Sequence, residues 1–161
     1  MVDVISKFDG NNFFLSNFFE SPVTLDIFND GNPLCFSSAE GGFHAYKGVA
    51  MPLNRSAKEM YVAGVHKAES PKAAKYLGRS VKIDVPLWES MKVQAMCTVV
   101  FAKFQQNQEL RQLLRDTGHA MLVEGNTWGD TFWGRCGGKG SNVLGSILME
   151  VRGYYYWSGK Y

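Results

Sequence analysis

Asp84-Val-Pro86 opens the strongest fold signal in the sequence. Leu87, Trp88, Met91, Ala95, Met96, Val99, Val100 and Phe104 then recur at helical spacing. A proline fits the first turn because the missing N–H has no intrahelical partner there. The pattern predicts the longest helix of the chain and places it at the centre of the core. With 161 residues, 45% of them hydrophobic and 20% charged, the chain is expected to fold as one domain over residues 1–161 rather than stay disordered.

Shorter elements are read around that helix. Val2–Ile5 reads as an edge strand or a docking segment. Val23–Phe28 alternates with period two and turns through Asn29-Asp-Gly-Asn-Pro33 into Leu34-Cys-Phe36, a β-hairpin. A helix is expected after Asn54, running through Ala57, Tyr61, Val62 and Val65 to about Lys67. Another follows the Ser70-Pro71 cap and ends at Gly78, with Arg79 just beyond its end. Glu109–Thr117 is read as a helix burying Leu110, Leu113 and Leu114, closed by Gly118, and Ala120–Val123 as a strand. A last helix is expected over about Val143–Val151 with Asn142 as its N-cap. The tail Gly153-Tyr-Tyr-Tyr-Trp157 reads either as an aromatic strand completing the core or as a cover for a pocket, with the strand preferred.

Two stretches carry candidate chemistry. In Cys35-Phe-Ser-Ser-Ala-Glu-Gly-Gly-Phe-His-Ala-Tyr-Lys47, Ser37 and Glu40 spell a capping box that starts a helix through Lys47 and Gly48. Glu40, Phe43, His44 and Lys47 then share one face, and Glu40 and Lys47 lie about 10 Å apart along the axis. Two readings are open: an acid and an amine facing one site, or a capped helix whose Glu40 serves its own backbone while Lys47 is solvated. Ser16 and Asn17, polar within the aromatic run Phe13–Phe19, either point into a site or form a local turn. Trp88 is either core or a surface for a flat ring.

The second stretch, Asn126–Asn142, holds Trp128, Asp130, Trp133, Gly134, Arg135 and Lys139 among many glycines. Arg135 and Lys139 on a glycine-rich loop that enters a helix make a phosphate cradle, because free N–H groups and the helix dipole favour an anion. The alternative is a long flexible hairpin loop. The spelling is neither a P-loop nor a dinucleotide fingerprint.

Composition excludes several classes. A net charge of +2 is too small for a polyanion-binding surface, though a local basic pocket is compatible with it. Cys35, Cys97 and Cys136 have no metal-ligand spacing with one another or with His44, His66 and His119. Reduced thiols, no metal and no cofactor are therefore expected. Met1–Lys7 does not read as a signal peptide and no apolar run reaches the length of a membrane span, so a cytoplasmic setting without membrane partners is expected. Nothing in the sequence fixes an oligomeric state.

The chain also resembles the NADAR domain family, the YbiA-like N-glycosidases. The matching pieces are Phe14-Leu-Ser-Asn-Phe, Ser38-x-Glu40-x-x-Phe43-x-Ala45-x-Lys47, Leu77-Gly-Arg79 and Trp88. They continue through Ala102-Lys-Phe104, Leu113-Leu with Thr117-Gly, and Leu122-Val-Glu124. Asp130-x-x-Trp133-Gly134, Gly140-x-Asn142-x-Leu144-Gly145, Leu148-Met149 and Arg152 complete the set. Gly41-Gly42 and the basic Trp133–Lys139 segment depart from the pattern.

The resemblance implies an α+β fold, mainly helical with a small β component, that cleaves N-glycosidic bonds. It implies substrates in which ribose is attached to an exocyclic amine of a flat ring: ADP-ribosylated guanine in a nucleotide or nucleic acid, or a phosphoribosylamino intermediate of the riboflavin pathway. It places Glu40, Lys47, Trp88 and Asp130 at the site, with the glycine-rich segment and Asn142 near the ligand. Glu40 and Asp130 make a carboxylate pair for such a cleavage, and Lys47 offers a covalent route through a Schiff base. Asn17, Phe43, His44, Arg79, Trp88, Trp128, Trp133, Gly134, Arg135, Lys139 and Asn142 are the expected binding residues. A non-catalytic ADP-ribose or nucleotide-binding module is the contrasting function.

Overall fold

The computed structural model describes residues 3–158, so Val2, the start of the expected edge strand, lies outside them. Strand β1 (Val4–Ile5) is followed by a 3-10 turn over Gly10–Leu15, then β2 (Glu20–Leu25) and β3 (Leu34–Ser38). Helix α1 (Ala39–Ala45) runs into a 3-10 turn at Tyr46–Gly48. Next come α2 (Arg55–His66), α3 (Pro71–Ser80), α4 (Val85–Gln106) and α5 (Gln108–Asp116). Short strands β4 (Met121–Leu122), β5 (Gly125–Asn126) and β6 (Arg135–Cys136) precede α6 (Val143–Ser158). The fold is α+β, mainly helical with small sheets. Two compact units make it up: Asn17–Gln106, and the segments that end at Ser16 and begin at Asn107.

Helix α4 organises the Asn17–Gln106 unit. Its Ala95, Met96, Val99, Val100 and Phe104 are buried, together with Val23, Leu25 and Phe36 of the hairpin and Phe43 of α1. Each aliphatic or aromatic side chain of this kind contributes roughly 1.5–3 kcal/mol on burial. Strands β2 and β3 pair antiparallel with Val23 opposite Phe36 and Leu25 opposite Leu34, and the register slips between Glu20 and Val23. Pro22, which has no N–H to give the ladder, sits in that irregular step. The connecting turn is tied by the Asp26 carboxylate, which accepts from the Asp30 and Gly31 amides at 3.1 and 2.7 Å.

Several local expectations need correction. The serine that caps α1 is Ser38, not Ser37: its Oγ accepts from the Gly41 amide at 3.2 Å. The helix is shorter than expected and tightens to 3-10 before Lys47. Helix α3 does not stop at Gly78 but continues to Ser80, so Arg79 lies in its last turn. Asn54 and Ser70 cap α2 and α3 through their side chains, as their spacing predicts.

In the other unit β1 pairs parallel with β4, Val4 opposite Met121 and Ile5 opposite Leu122, so the expected Ala120–Val123 strand is trimmed at both ends. Leu110, Leu114, Leu122, Leu144, Leu148, Val151 and Tyr155 are buried, whereas Leu113 is 45% exposed, against expectation. Arg152 closes the α5–β4 connection, donating to Thr117 Oγ1 at 2.7 Å and to the Ala120 carbonyl at 2.9 Å. The aromatic tail is not a strand. Its described part continues α6, because Leu148, Val151, Arg152 and Tyr155 keep the three-and-four spacing of one buried face.

Candidate active site

Glu40 sits in the first turn of α1, and its amide donates to the Asn17 carbonyl at 3.0 Å. The carboxylate does not fold back to cap the helix. Its Oε1 lies 3.1 Å from His44 Nε2 and 3.6 Å from Lys75 Nζ. The side chains of Glu40 and His44 are both nearly buried, so the pair is held in a low-dielectric setting where such contacts are strong. Lys75, which the sequence reading did not single out, extends from α3 and also lies 4.9 Å over the Phe18 ring.

Lys47 is half-buried. Its ammonium donates to the Gly78 carbonyl at 2.6 Å and lies 5.7 Å above the Trp88 ring. Gly78 is in the last turn of α3, where carbonyls have no intrahelical partner and are free to accept from a side chain. Burial first, and then the nearby Arg79 charge, lower the Lys47 pKa, while the Glu40 carboxylate works against them. Phe43 and Trp88 stack obliquely at 5.3 Å and form an aromatic wall beside these groups. Asn17 is buried. Its Nδ2 donates to Met96 Sδ at 3.1 Å, and its Oδ1 is buried without a hydrogen-bond partner among the described residues. Glu40, Phe43, His44, Lys47, Arg79, Trp88 and Asn17 therefore all belong to the Asn17–Gln106 unit.

The remaining predicted residues belong to the Asn126–Asn142 segment of the other unit, which is braced rather than a floppy loop. β5 and β6 pair parallel across it, Gly125 with Arg135 and Asn126 with Cys136. The Asn126 side chain donates to the Asp130 and Arg135 carbonyls at 2.7 and 3.2 Å and accepts from the Asp130 amide at 3.1 Å. Asp130 Oδ1 accepts from the Phe132 and Trp133 amides at 3.0 and 2.9 Å. A Cβ on Gly134 would come 2.1 Å from the Glu124 carbonyl oxygen, so only glycine fits there. Trp133 is half-buried, with its ring edge-on to Phe132 at 4.9 Å. Trp128 is 67% exposed.

Asn142 has φ 54 and acts as a clamp instead of the expected side-chain cap. Its Oδ1 accepts from the Glu124 amide at 2.9 Å, and its Nδ2 donates to the Leu122 carbonyl at 2.8 Å. The amides of Ser141, Asn142, Val143 and Leu144 are given to the carbonyls of Thr131, Gly134, Phe132 and Trp133. The start of α6 therefore does not offer these N–H groups to a phosphate, contrary to the cradle expected from sequence. Arg135 donates Nε to the Gly140 carbonyl at 3.3 Å, and Lys139 stands on an exposed turn with Cys136. Sequence reasoning missed Lys75, Gly78 and Asn126. Lys75 lies on the helix expected after the Ser70-Pro71 cap, one turn before the Leu77-Gly-Arg79 piece, which was the available signal for the first.

Among the described residues no three His, Cys, Asp or Glu side chains are grouped to hold a metal ion, and no helix is long and apolar enough to cross a membrane. The chain is 39% identical over 141 residues to N-glycosidase YbiA of Shigella flexneri serotype 5b (strain 8401), covering 85% of this chain and 78% of that protein. The Riboflavin biosynthesis protein PYRR, chloroplastic, of Zea mays is 31% identical over 144 residues, 85% of this chain but 22% of that protein. The solution structure of YbiA from E. coli superposes with a TM-score of 0.76 and 34% identity, over 99% of this chain and 89% of that one. Residues 6–154 match the NADAR domain. With fold, motifs and relatives agreeing across nearly its whole length, this chain belongs to the NADAR domain family.

Proposed function

We propose that this chain is a hydrolase of N-glycosyl bonds and that its substrate is a ribose joined to an exocyclic amine of a base, foremost ADP-ribose on guanine in a nucleotide or nucleic acid. The relatives named N-glycosidase support the reaction class. The observation that carries the residue assignment is the Lys47 amine: half-buried, held by the Gly78 carbonyl, and pushed below the ordinary lysine pKa by burial and Arg79, on the same short segment as the buried Glu40. An amine so placed is a nucleophile at lower pH than a solvated lysine.

In this scheme the ribosylamine ring opens to an imine at C1. Neutral Lys47 Nζ adds to C1, and Glu40 carries the proton to the base nitrogen. The C1–N bond to the base breaks, and the base leaves as a free amine. A Schiff base remains on Lys47. Water adds to it, the Lys47–C1 bond breaks, and the ribose aldehyde and the lysine are released. Trp88 and Phe43, both buried and tilted to one another, supply the apolar wall against which the base packs.

A second reading, cleavage of a phosphoribosylamino pyrimidine intermediate of the riboflavin pathway, is favoured by the maize relative's name. Release of ADP-ribose from a guanine-ADP-ribosylated oligonucleotide, assayed beside release of ribose 5-phosphate from the pyrimidine, separates the two. Glu40→Gln is expected to abolish whichever is catalysed. Binding of ADP-ribose with neither product released would make the chain a binding module instead. Borohydride added during turnover is expected to fix a ribose adduct on Lys47. No adduct, together with an active Lys47→Arg chain, would remove the covalent route and leave direct hydrolysis.

A further inference from the structure

Gly78 is a glycine inside a helix that nothing in the backbone requires. Helix α3 runs through it to Ser80, it does not adopt the left-handed conformation, and glycine weakens a helix interior relative to alanine. Its neighbours supply the reason. A Cβ at this position would lie 2.1 Å from His44 Nδ1, 2.5 Å from its Cγ and 2.9 Å from its Cβ. These are side-chain atoms close to the His44 backbone, not the far end of a flexible chain. The His44 carbonyl is itself held by the Tyr61 hydroxyl at 2.8 Å, and the ring is flanked by Phe43 at 5.6 Å.

Seated against Gly78, the imidazole has two unlike nitrogens. Nδ1 is buried and has no hydrogen-bond partner among the described residues, whereas Nε2 lies 3.1 Å from Glu40 Oε1. A proton on Nδ1 would be a buried donor with nothing to accept it. The neutral ring therefore carries its proton on Nε2 and donates it to the carboxylate. The same Gly78 accepts from Lys47 through its carbonyl, as described above.

We propose that Gly78 is a positioning residue for the reaction: its missing side chain seats His44 as a fixed donor to Glu40, and its carbonyl aims the Lys47 amine. This rests on the reading that Glu40 and Lys47 carry the chemistry. One face of α3 then serves both groups, with Lys75 beside the carboxylate and Arg79 acting on the amine.

The test is Gly78→Ala in the full chain, with a guanine-ADP-ribosylated oligonucleotide as the probe substrate and 15N shifts of the His44 ring as a readout independent of turnover. In the unaltered chain the ring is expected to be protonated at Nε2 and bare at Nδ1; the opposite tautomer would overturn the proposal. In Gly78→Ala the ring is expected to lose that fixed pattern. The value of kcat is expected to fall about a hundredfold with KM changed no more than about threefold, the size of effect that small misplacements of catalytic groups produce. A folded Gly78→Ala chain with unchanged kcat and ring pattern overturns it as well.

The catalytic reading and this one fail separately. Full turnover by Glu40→Gln sinks the former, while an inactive Glu40→Gln beside a fully active Gly78→Ala sinks only the role of Gly78. Should Gly78→Ala not fold, the double variant Gly78→Ala/His44→Gly decides. Removal of the ring together with its Cβ is expected to restore folding by clearing all three contacts with the new methyl, and a double variant that stays unfolded contradicts the clash.

Discussion

Lys103 gives the most quantitative handle on this protein. It lies in α4, is fully buried, and stands 5.6 and 5.3 Å from the Phe19 and Phe104 ring centroids. Burial pushes its pKa down from 10.5 to about 7. Between those values the unfolded chain binds a proton that the folded chain gives up, so stability rises with pH across this window and is lowest below it. Linkage gives an opposition to folding of roughly 4 kcal/mol at pH 7.5 and roughly 1 kcal/mol at pH 9.5. The stability difference between the unaltered chain and Lys103→Met should therefore shift by roughly 2–3 kcal/mol between the two pH values, in favour of the lysine at the higher pH. Urea unfolding of both chains at pH 7.5 and 9.5 measures it. The window stops there because burial raises the Tyr61 pKa, so its contribution is lost as pH climbs past the ordinary tyrosine range. A difference that does not change with pH would refute the reasoning, because a group titrating alike in both states contributes no slope.

The Lys47 amine is expected to give the rate of the covalent step a rising limb that levels off below the usual lysine range; Arg79→Gln, which removes one of the depressing charges, should move that limb to higher pH in a kcat/KM profile. Asn142→Ala loses the bonds to the Glu124 amide and the Leu122 carbonyl and places a side chain poorly suited to φ 54, so it should cost about 2–3 kcal/mol in urea unfolding; a cost below about 0.5 kcal/mol would mean the clamp is ornamental. Asp130→Asn keeps an oxygen acceptor for the Phe132 and Trp133 amides, so the melting temperature should hold while turnover falls. Full turnover in that variant would reduce Asp130 to a brace of its own loop.

Elements whose reason is local were legible in the residues. Asn54 and Ser70 bond an amide three residues on, and the α4 stripe repeats at the helical period, so neither needs a partner far along the chain. Ser37 and Ser38 show where that reasoning stops. Both are suitable caps, but β3 alternates, turning Phe36 and Ser38 inward and leaving Ser37 exposed, and the pairing with β2 fixes that parity. The exposure of Leu113 likewise follows from which face of α5 meets its neighbours, a fact no spacing within α5 contains.

The sequence by itself determined the helical core, the hairpin leading into α1, and an acid and an amine close together on one short segment. The Glu40–His44 contact is local to α1, but only the packing of α3 on α1 brought Lys75 to the Glu40 carboxylate and the Gly78 carbonyl to Lys47. The same holds for the glycine-rich segment, where the amides at the start of α6, a phosphate site on paper, are consumed by the loop's own carbonyls. The physical reason is that hydrogen bonds and charge contacts act over a few ångströms. Residues three or four apart in a helix come within that range automatically, whereas those thirty apart do so only when the tertiary fold brings them there.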